Sequence, residues 1–136
     1  MSYKGGFPRA SEVKAIRARY DFSVEGGAVG DIVISAEQIP AGAYITHGFV
    51  EVDTAPTSSA SGALAIKVES AGDIVAGAAV SGAPWSTAGI KSIVPAATGA
   101  TAVKTTTARP IVATIATGAL TGGAVDVVLF YVVLPD

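Results

Sequence analysis

The sequence is poor in the residue types that usually carry chemistry. It contains no cysteine, no asparagine and a single histidine, His47. Disulfides and thiolate metal sites are therefore excluded, and cysteine usage says nothing about the redox compartment. The 52 residues from Ile74 to Val125 include no aspartate and no glutamate, and only Lys91, Lys104 and Arg109 are charged there. Because catalytic and metal sites usually need carboxylates, imidazoles or thiols, this stretch favours a protein that works by contact.

The few candidate chemical groups do not form a known catalytic or metal-binding pattern. His47 lacks a Gly-x-Ser-x-Gly elbow and any His-x-His or His-Glu-x-x-His spacing, so a structural or interface histidine is favoured. Glu51 and Asp53 share one face of a predicted strand, where a solvated pair is favoured over a glycosidase or calcium site. Residues 99–105 lack the glycine that a phosphate-binding loop needs before its lysine. We expect no enzymatic activity, no metal and no cofactor.

The charge of the chain is small and unevenly distributed. The net charge is −2, so the composition lacks the basic surface expected of a nucleic-acid-binding protein. Residues 1–19 carry a net charge of +4, and residues 20–91 carry −6. The basic start could steer the chain onto an acidic partner or onto the acidic body of another copy. A solvated tail is the alternative.

No segment of the sequence is typical of a membrane span or an export signal. The longest strongly apolar run, Val127–Leu134, is far shorter than the ~20 residues that a membrane-spanning helix needs. The first eight residues contain no apolar core of signal-peptide length. We therefore expect a soluble protein that does not bind membranes.

Short apolar segments separated by turn residues indicate an all-β fold. Ile16–Val24 alternates between apolar and polar side chains, which is the period of a strand with one buried face. Other strands are predicted at 32–35, 44–54, 64–69, 90–94, 102–106, 111–117 and 125–134. Residues 73–80 fit a strand or a short helical turn, and 55–62 and 82–87 are predicted loops. The pattern predicts an antiparallel two-sheet sandwich of jelly-roll or related Greek-key topology.

The last predicted strand is apolar on both faces. Its odd-numbered residues from Val125 to Val133 are apolar, and its even-numbered residues up to Leu134 are apolar except for Asp126. A strand of this kind must be covered on both faces, and one sandwich covers only one of them. An edge loop, the N-terminal segment or another subunit could supply the second cover. The low charge of this half of the chain favours another subunit.

Trp85 is the one side chain that is a candidate for binding a ligand. It lies in the predicted loop 82–87, between Pro84 and Ser86. A tryptophan in a loop can stack on a sugar, anchor a partner subunit or hold a corner of the core. A core or subunit contact is favoured over a glycan contact, and Trp85 is retained as a possible subunit or ligand contact.

From about residue 14 onward, the chain carries a resemblance to a known family. The stretches concerned are Ala18–Gly30 (ARYDFSVEGGAVG), Ile39–Ala43 (IPAGA), Ser81–Thr87 (SGAPWST) and Val127–Val133 (VVLFYVV). They resemble small virion proteins of tailed bacteriophages, and within that class the decoration, or cement, proteins of the capsid. These stretches are turns and strands, so they are less specific than a catalytic signature.

The resemblance implies a fold, a function and a set of partners. It implies a β-sandwich or jelly-roll protein that binds the outside of a phage head as a homotrimer and bridges major capsid proteins. It also implies a protein that is made in the host cytoplasm and located in the virion. A head fibre, a tail protein or a glycan-binding adhesin is the alternative.

The resemblance leaves the contact residues open, and the N-terminal segment supplies the candidates. We expect an extended N-terminal arm at residues 1–12 and a β-sandwich domain at residues 13–136. The charge and aromatic content of the arm suggest capsid contact through Tyr3, Lys4, Phe7 and Arg9.

Overall fold

The computed structural model describes residues 12–93, 95 and 102–134. In chain order, these residues form β1 (Lys14–Asp21), α1 (Phe22–Glu25), β2 (Gly30–Val33), β3 (Ala43–Thr57), β4 (Ala63–Lys67), β5 (Val75–Ala79), β6 (Gly89–Ile93), β7 (Val112–Ala116) and β8 (Gly122–Val133). The predicted arm lies outside the described residues except for Glu12. The described part of the chain includes no helix long and apolar enough to cross a membrane.

The strands form two antiparallel four-stranded sheets. The first sheet has the order β1-β8-β3-β6, and the second has the order β2-β7-β4-β5. Most consecutive strands alternate between the two sheets, which is the arrangement of a jelly roll built from two Greek keys. The predicted fold class is therefore confirmed, and the jelly roll is the topology observed.

The core lies between the two sheets and follows the period-two pattern of the sequence. Ile16, Ala18 and Tyr20 point inward from β1, as their alternation predicts. Leu64 and Ile66 of the second sheet belong to the same buried cluster and have no exposed surface. Burying a large apolar side chain of this kind contributes roughly 1.5–3 kcal/mol, so these alternating residues hold the sheets together.

The first strand ends earlier than its alternation predicts. Asp21 accepts a hydrogen bond from the backbone N–H of Ser23 at 2.9 Å and caps the short helix α1. Gly26 follows with φ of 74°, a conformation that favours glycine. Val24 is consequently 77% exposed instead of buried. The local capping interaction overrides the apolar period over the last three residues of the predicted strand.

Two other predicted segments differ from the structure, and the structure decides a third that the sequence left open. Residues 102–106 form no regular strand, although Lys104 makes an isolated bridge to Tyr44 and Thr105 pairs with the backbone of residues 42 and 43. The loop predicted to begin at residue 55 begins only after Thr57, because β3 continues to Thr57, which pairs with Gly122 of β8. The ambiguous segment 73–80 contains the strand β5.

Candidate functional site: the outer face of the first sheet

The outer face of the first sheet is the broadest candidate contact surface. Pairing in register brings Val128 of β8 between Arg17 of β1 and Phe49 of β3. Phe130 lies between Ala15 and His47 in the same way. Among the described residues, no second layer covers this face. The outward residues fall into an aromatic half and a charged half, at opposite ends of the strands.

A bulge in β3 creates the aromatic half. Ile45 pairs with Tyr131 and His47 pairs with Phe130, so Thr46 is an extra residue. The bulge reverses the inward and outward alternation, and it places Tyr44 on the same face as His47 and Phe49. After the bulge, the backbone of β3 approaches the backbone of β8 closely at Gly48. A Cβ at this position would lie 2.3 Å from the carbonyl oxygen of Val128, so only glycine fits.

Aromatic rings pack against one another on this half of the face. The rings of His47 and Phe130 are stacked with centroids 4.6 Å apart and an interplanar angle of 16°. Phe49 and Phe130 are tilted at 6.2 Å. The Nζ of Lys104 lies 4.9 Å from the ring centroid of Tyr44. We call the set formed by Tyr44, His47, Phe49, Val128, Phe130 and Val132 the aromatic patch.

The charged half is organised around Arg19. Its guanidinium donates to Asp126 Oδ2 at 3.0 Å and to Asp53 Oδ2 at 3.2 Å, and these two hydrogen bonds raise the pKa of Arg19. Asp126 is buried, and its Oδ1 has no hydrogen-bond partner. Arg17 Nη2 lies 3.4 Å from that oxygen, within ion-pair distance but without hydrogen-bond geometry. The Arg17 side chain remains 72% exposed.

Exposed apolar side chains are concentrated on this face. Seven large hydrophobic residues among the described ones are exposed. Tyr44 and Ile90 project outward from the first sheet, and Val13 and Leu134 extend its outward rows beyond β1 and β8. Four of the seven therefore lie on this face or directly beyond it, and exposed apolar side chains that cluster in this way indicate a contact surface.

The structure corrects the expectation for Trp85. The ring has no exposed surface, and its Nε1 donates to the Leu64 carbonyl oxygen at 2.9 Å. A fully buried indole cannot stack on a sugar or contact another subunit. Of the roles considered for Trp85, the structure supports the one in the core.

The other predicted site residues have different outcomes. Tyr3, Lys4, Phe7 and Arg9 lie outside the described residues. His47 is exposed and belongs to the aromatic patch. Glu51 and Asp53 are exposed, and Asp53 accepts a hydrogen bond from Arg19.

The described residues offer little for catalysis or metal binding. Within the ranges given above, no group of three or more His, Cys, Asp or Glu side chains could hold a metal ion. A depression of about 310 Å³ lies between the turn 69–73 and residues 102–104. The carboxylates beside it already accept hydrogen bonds, Glu69 from Arg109 and Thr106 and Asp73 from backbone N–H groups.

Sequence reasoning found only part of the aromatic patch. The doubly apolar β8 indicated that Val128, Phe130 and Val132 need a cover. No period in the sequence shows that Tyr44 joins them, because the bulge at Thr46 decides it. The partners of Phe130 depend on the register between β3 and β8, which are about 80 residues apart in the chain.

Comparisons with known proteins relate the fold to phage capsids. No protein-family model and no curated protein sequence matches the chain. A chain in the capsid asymmetric unit of cyanophage Pam1 superposes with a TM-score of 0.65 at 18% identity, over 98% of this chain and 94% of that chain. A chain in the capsid of Ralstonia phage GP4 superposes with a TM-score of 0.65 at 16% identity, over 98% of this chain and 93% of that chain.

A third chain, from the acidic stable capsid structure of Helicobacter pylori bacteriophage KHP30, gives a TM-score of 0.60 at 13% identity, over 91% and 89% of the two chains. At these identities the likeness establishes a shared fold over nearly the whole chain. The fold is thus one that occurs in phage capsids.

Proposed function

We propose that this protein is a structural component of a phage virion that binds the outer surface of the capsid. In this role it stabilises the head by bridging major capsid proteins as a homotrimer. The observation that carries the proposal is the fold shared with chains of three phage capsids over more than nine-tenths of this chain. The sequence resemblance to decoration proteins supports the same role.

The physical character of the surface fits a protein that works by contact. The outer face of the first sheet presents aromatic and aliphatic side chains with no second layer over them among the described residues. A partner that binds only the assembled shell stabilises the shell by mass action. Several modest contacts from one oligomer give a large avidity, so no single interface has to be strong.

We assign the capsid contact to the N-terminal arm, residues 1–12, and the oligomer to the domain at residues 13–136. Tyr3 and Phe7 supply aromatic groups, and Lys4 and Arg9 supply positive charge. An arm of this composition suits an acidic surface, because its charge steers the encounter and burial of its rings against that surface is favourable.

Deletion of residues 2–12 tests this assignment. We expect the shortened protein to retain its fold and to bind heads stripped of this protein at least tenfold more weakly than the full chain. The measurement is occupancy on purified heads as a function of added protein. Unchanged occupancy would remove the arm from the capsid contact.

Two double variants separate the two kinds of group in the arm. Tyr3→Ala with Phe7→Ala removes the rings, and Lys4→Ala with Arg9→Ala removes the positive charge. Only the second pair should abolish the salt dependence of binding, because salt screens charge and leaves ring burial nearly unaffected. Full-chain protein that fails to bind any phage head at saturating concentration would refute the proposed function itself.

The adhesin alternative has lost one of its two supporting observations. It depended on the jelly-roll fold and on Trp85 as an exposed platform for a sugar, and this ring is buried in the core. The described residues supply no other exposed tryptophan, since the chain contains only one.

A further inference from the structure

We propose that the outer face of the first sheet is the surface through which copies of this chain contact one another, with Arg17 of one copy facing Glu51 of the next. The proposal rests on the proposed homotrimer and deepens it by naming the interface. Exposed apolar groups, charge complementarity and area support it.

Several of the most exposed large apolar side chains belong to this face. Ile90 is 68% exposed, Val13 59% and Leu134 56%, and all three lie on or directly beyond the outward rows of the first sheet. Between them lies the aromatic patch, whose rings cover one another only partly. Burial against a second copy removes this area from water, and burial of apolar area is the main driving force of association.

The charges of the face are arranged in a self-complementary way. The basic side chain of Arg17 lies on β1, and the acidic side chain of Glu51 lies on β3, with β8 between the two strands. Arg19, Asp53 and Asp126 are paired within the chain, and Arg17 Nη2 lies 3.4 Å from Asp126 Oδ1. The Arg17 side chain is nevertheless 72% exposed and Glu51 is exposed, so a neighbouring copy can bring its Glu51 opposite Arg17. A surface that carries both a positive and a negative side chain can pair with the same surface of a second copy. A uniformly charged partner would be repelled by one of the two side chains.

The area of the face matches what such a contact needs. Four strands spaced about 4.8 Å apart give a width of roughly 19 Å. The four strands have lengths of 8, 12, 15 and 5 residues, an average of about 33 Å at ~3.3 Å per residue. The face is therefore roughly 600 Å² per copy, and three copies that bury it around a common axis would remove about 1,800 Å² from water in total, comparable to the area of a standard specific association.

Substitution of Ile90 by Asp tests the apolar part of the proposal. The matched control is Val33→Asp, because Val33 has a similar exposure of 56% but lies on β2 in the second sheet. We expect I90D to weaken self-association about tenfold or more, since a buried carboxylate replaces a buried isoleucine. V33D should change it less than about twofold. Sedimentation equilibrium measures both, and circular dichroism confirms that both variants are folded.

A charge exchange tests the proposed pair without touching the apolar groups. Arg17→Glu alone and Glu51→Arg alone should each weaken self-association, because each places like charges across the interface. Circular dichroism checks that each variant is folded, since Arg17 also lies 3.4 Å from the buried Asp126. The double variant R17E/E51R should recover most of the loss. No recovery in the double variant, or equal effects of I90D and V33D, would overturn the proposal.

The outcomes also separate this inference from the proposed function. A wild-type chain that stays monomeric at all concentrations but still decorates heads overturns the interface and leaves the capsid role intact. A chain that self-associates through this face but binds no head supports the interface and refutes the capsid role.

Discussion

Replacing Trp85 by phenylalanine tests whether this residue acts only in the core. The indole has no exposed surface, and its Nε1–H is hydrogen-bonded to the Leu64 carbonyl oxygen at 2.9 Å. Phenylalanine keeps one aromatic ring but leaves part of the indole volume empty. It also leaves the carbonyl oxygen of a buried strand without its side-chain donor.

The structure sets the size of the expected effect. An unsatisfied buried acceptor costs about 1–3 kcal/mol, and complete truncation of a buried tryptophan to alanine costs about 3–5 kcal/mol. We expect W85F to lower the free energy of unfolding by about 2–3 kcal/mol. At about 3–4 °C per kcal/mol for a domain of this size, the midpoint of thermal unfolding falls by about 6–12 °C.

Two assays are available because the chain contains a single tryptophan. Circular dichroism measures the unfolding midpoint of the wild type and of W85F. In the wild type, the emission of Trp85 reports its environment directly. We expect blue-shifted emission that acrylamide quenches poorly, and no change when sugars are added.

Tyr44→Phe is the control, because Tyr44 is an aromatic residue on the surface and 37% exposed. It should change stability by no more than about 0.5 kcal/mol. If W85F were as stable as the wild type, or if the emission of Trp85 in the folded protein were that of a solvated indole, the assignment of this residue to the core would be refuted.

Two further predictions concern the loops at one end of the sandwich. Asp73 accepts hydrogen bonds from the backbone N–H groups of Val68, Glu69 and Ser70, all at 2.9 Å. Asp73→Ala should therefore lower the free energy of unfolding, measured by urea denaturation, by about 3–5 kcal/mol. Asp73→Asn keeps one acceptor oxygen and should lower it clearly less. The hydrogen bonds from Arg109, and then those from Thr106, lower the pKa of Glu69 to about 2. Because this folded-state pKa is depressed, the stabilisation is complete above pH ~4.5 and is lost as the pH falls towards 2. The stability difference between wild type and Glu69→Gln should shrink over that range, and a constant difference would contradict the Arg109 ion pair.

The strand content of the fold could be predicted because it depends on short-range alternation. In β1, Ile16, Ala18 and Tyr20 are buried as their spacing requires. Where a polar side chain competes with the period, the prediction fails. Asp21 caps α1 and takes Val24 out of the core, since a local hydrogen bond is available before the strand can continue.

The candidate site was less accessible to sequence reasoning. The doubly apolar β8 indicated that a second cover is needed on the face of Phe130, and the described residues supply it only in part, since Val128, Phe130 and Val132 remain half-buried. The role of Trp85 could not be decided from its loop position. Turns in a sandwich point side chains either inward or outward, and only packing against Leu64 fixes which one occurs here.

The sequence by itself determined that the chain is all-β and that residues 74–125 contain no carboxylate side chain. Both follow from composition and from a period of two, which are properties of neighbouring residues. Only the tertiary structure decided where the contact surface lies. The bulge at Thr46 and the register between β3 and β8 bring Tyr44, His47 and Phe130 onto one face. These are pairings between distant segments, and their energies depend on cross-strand packing that no single segment contains.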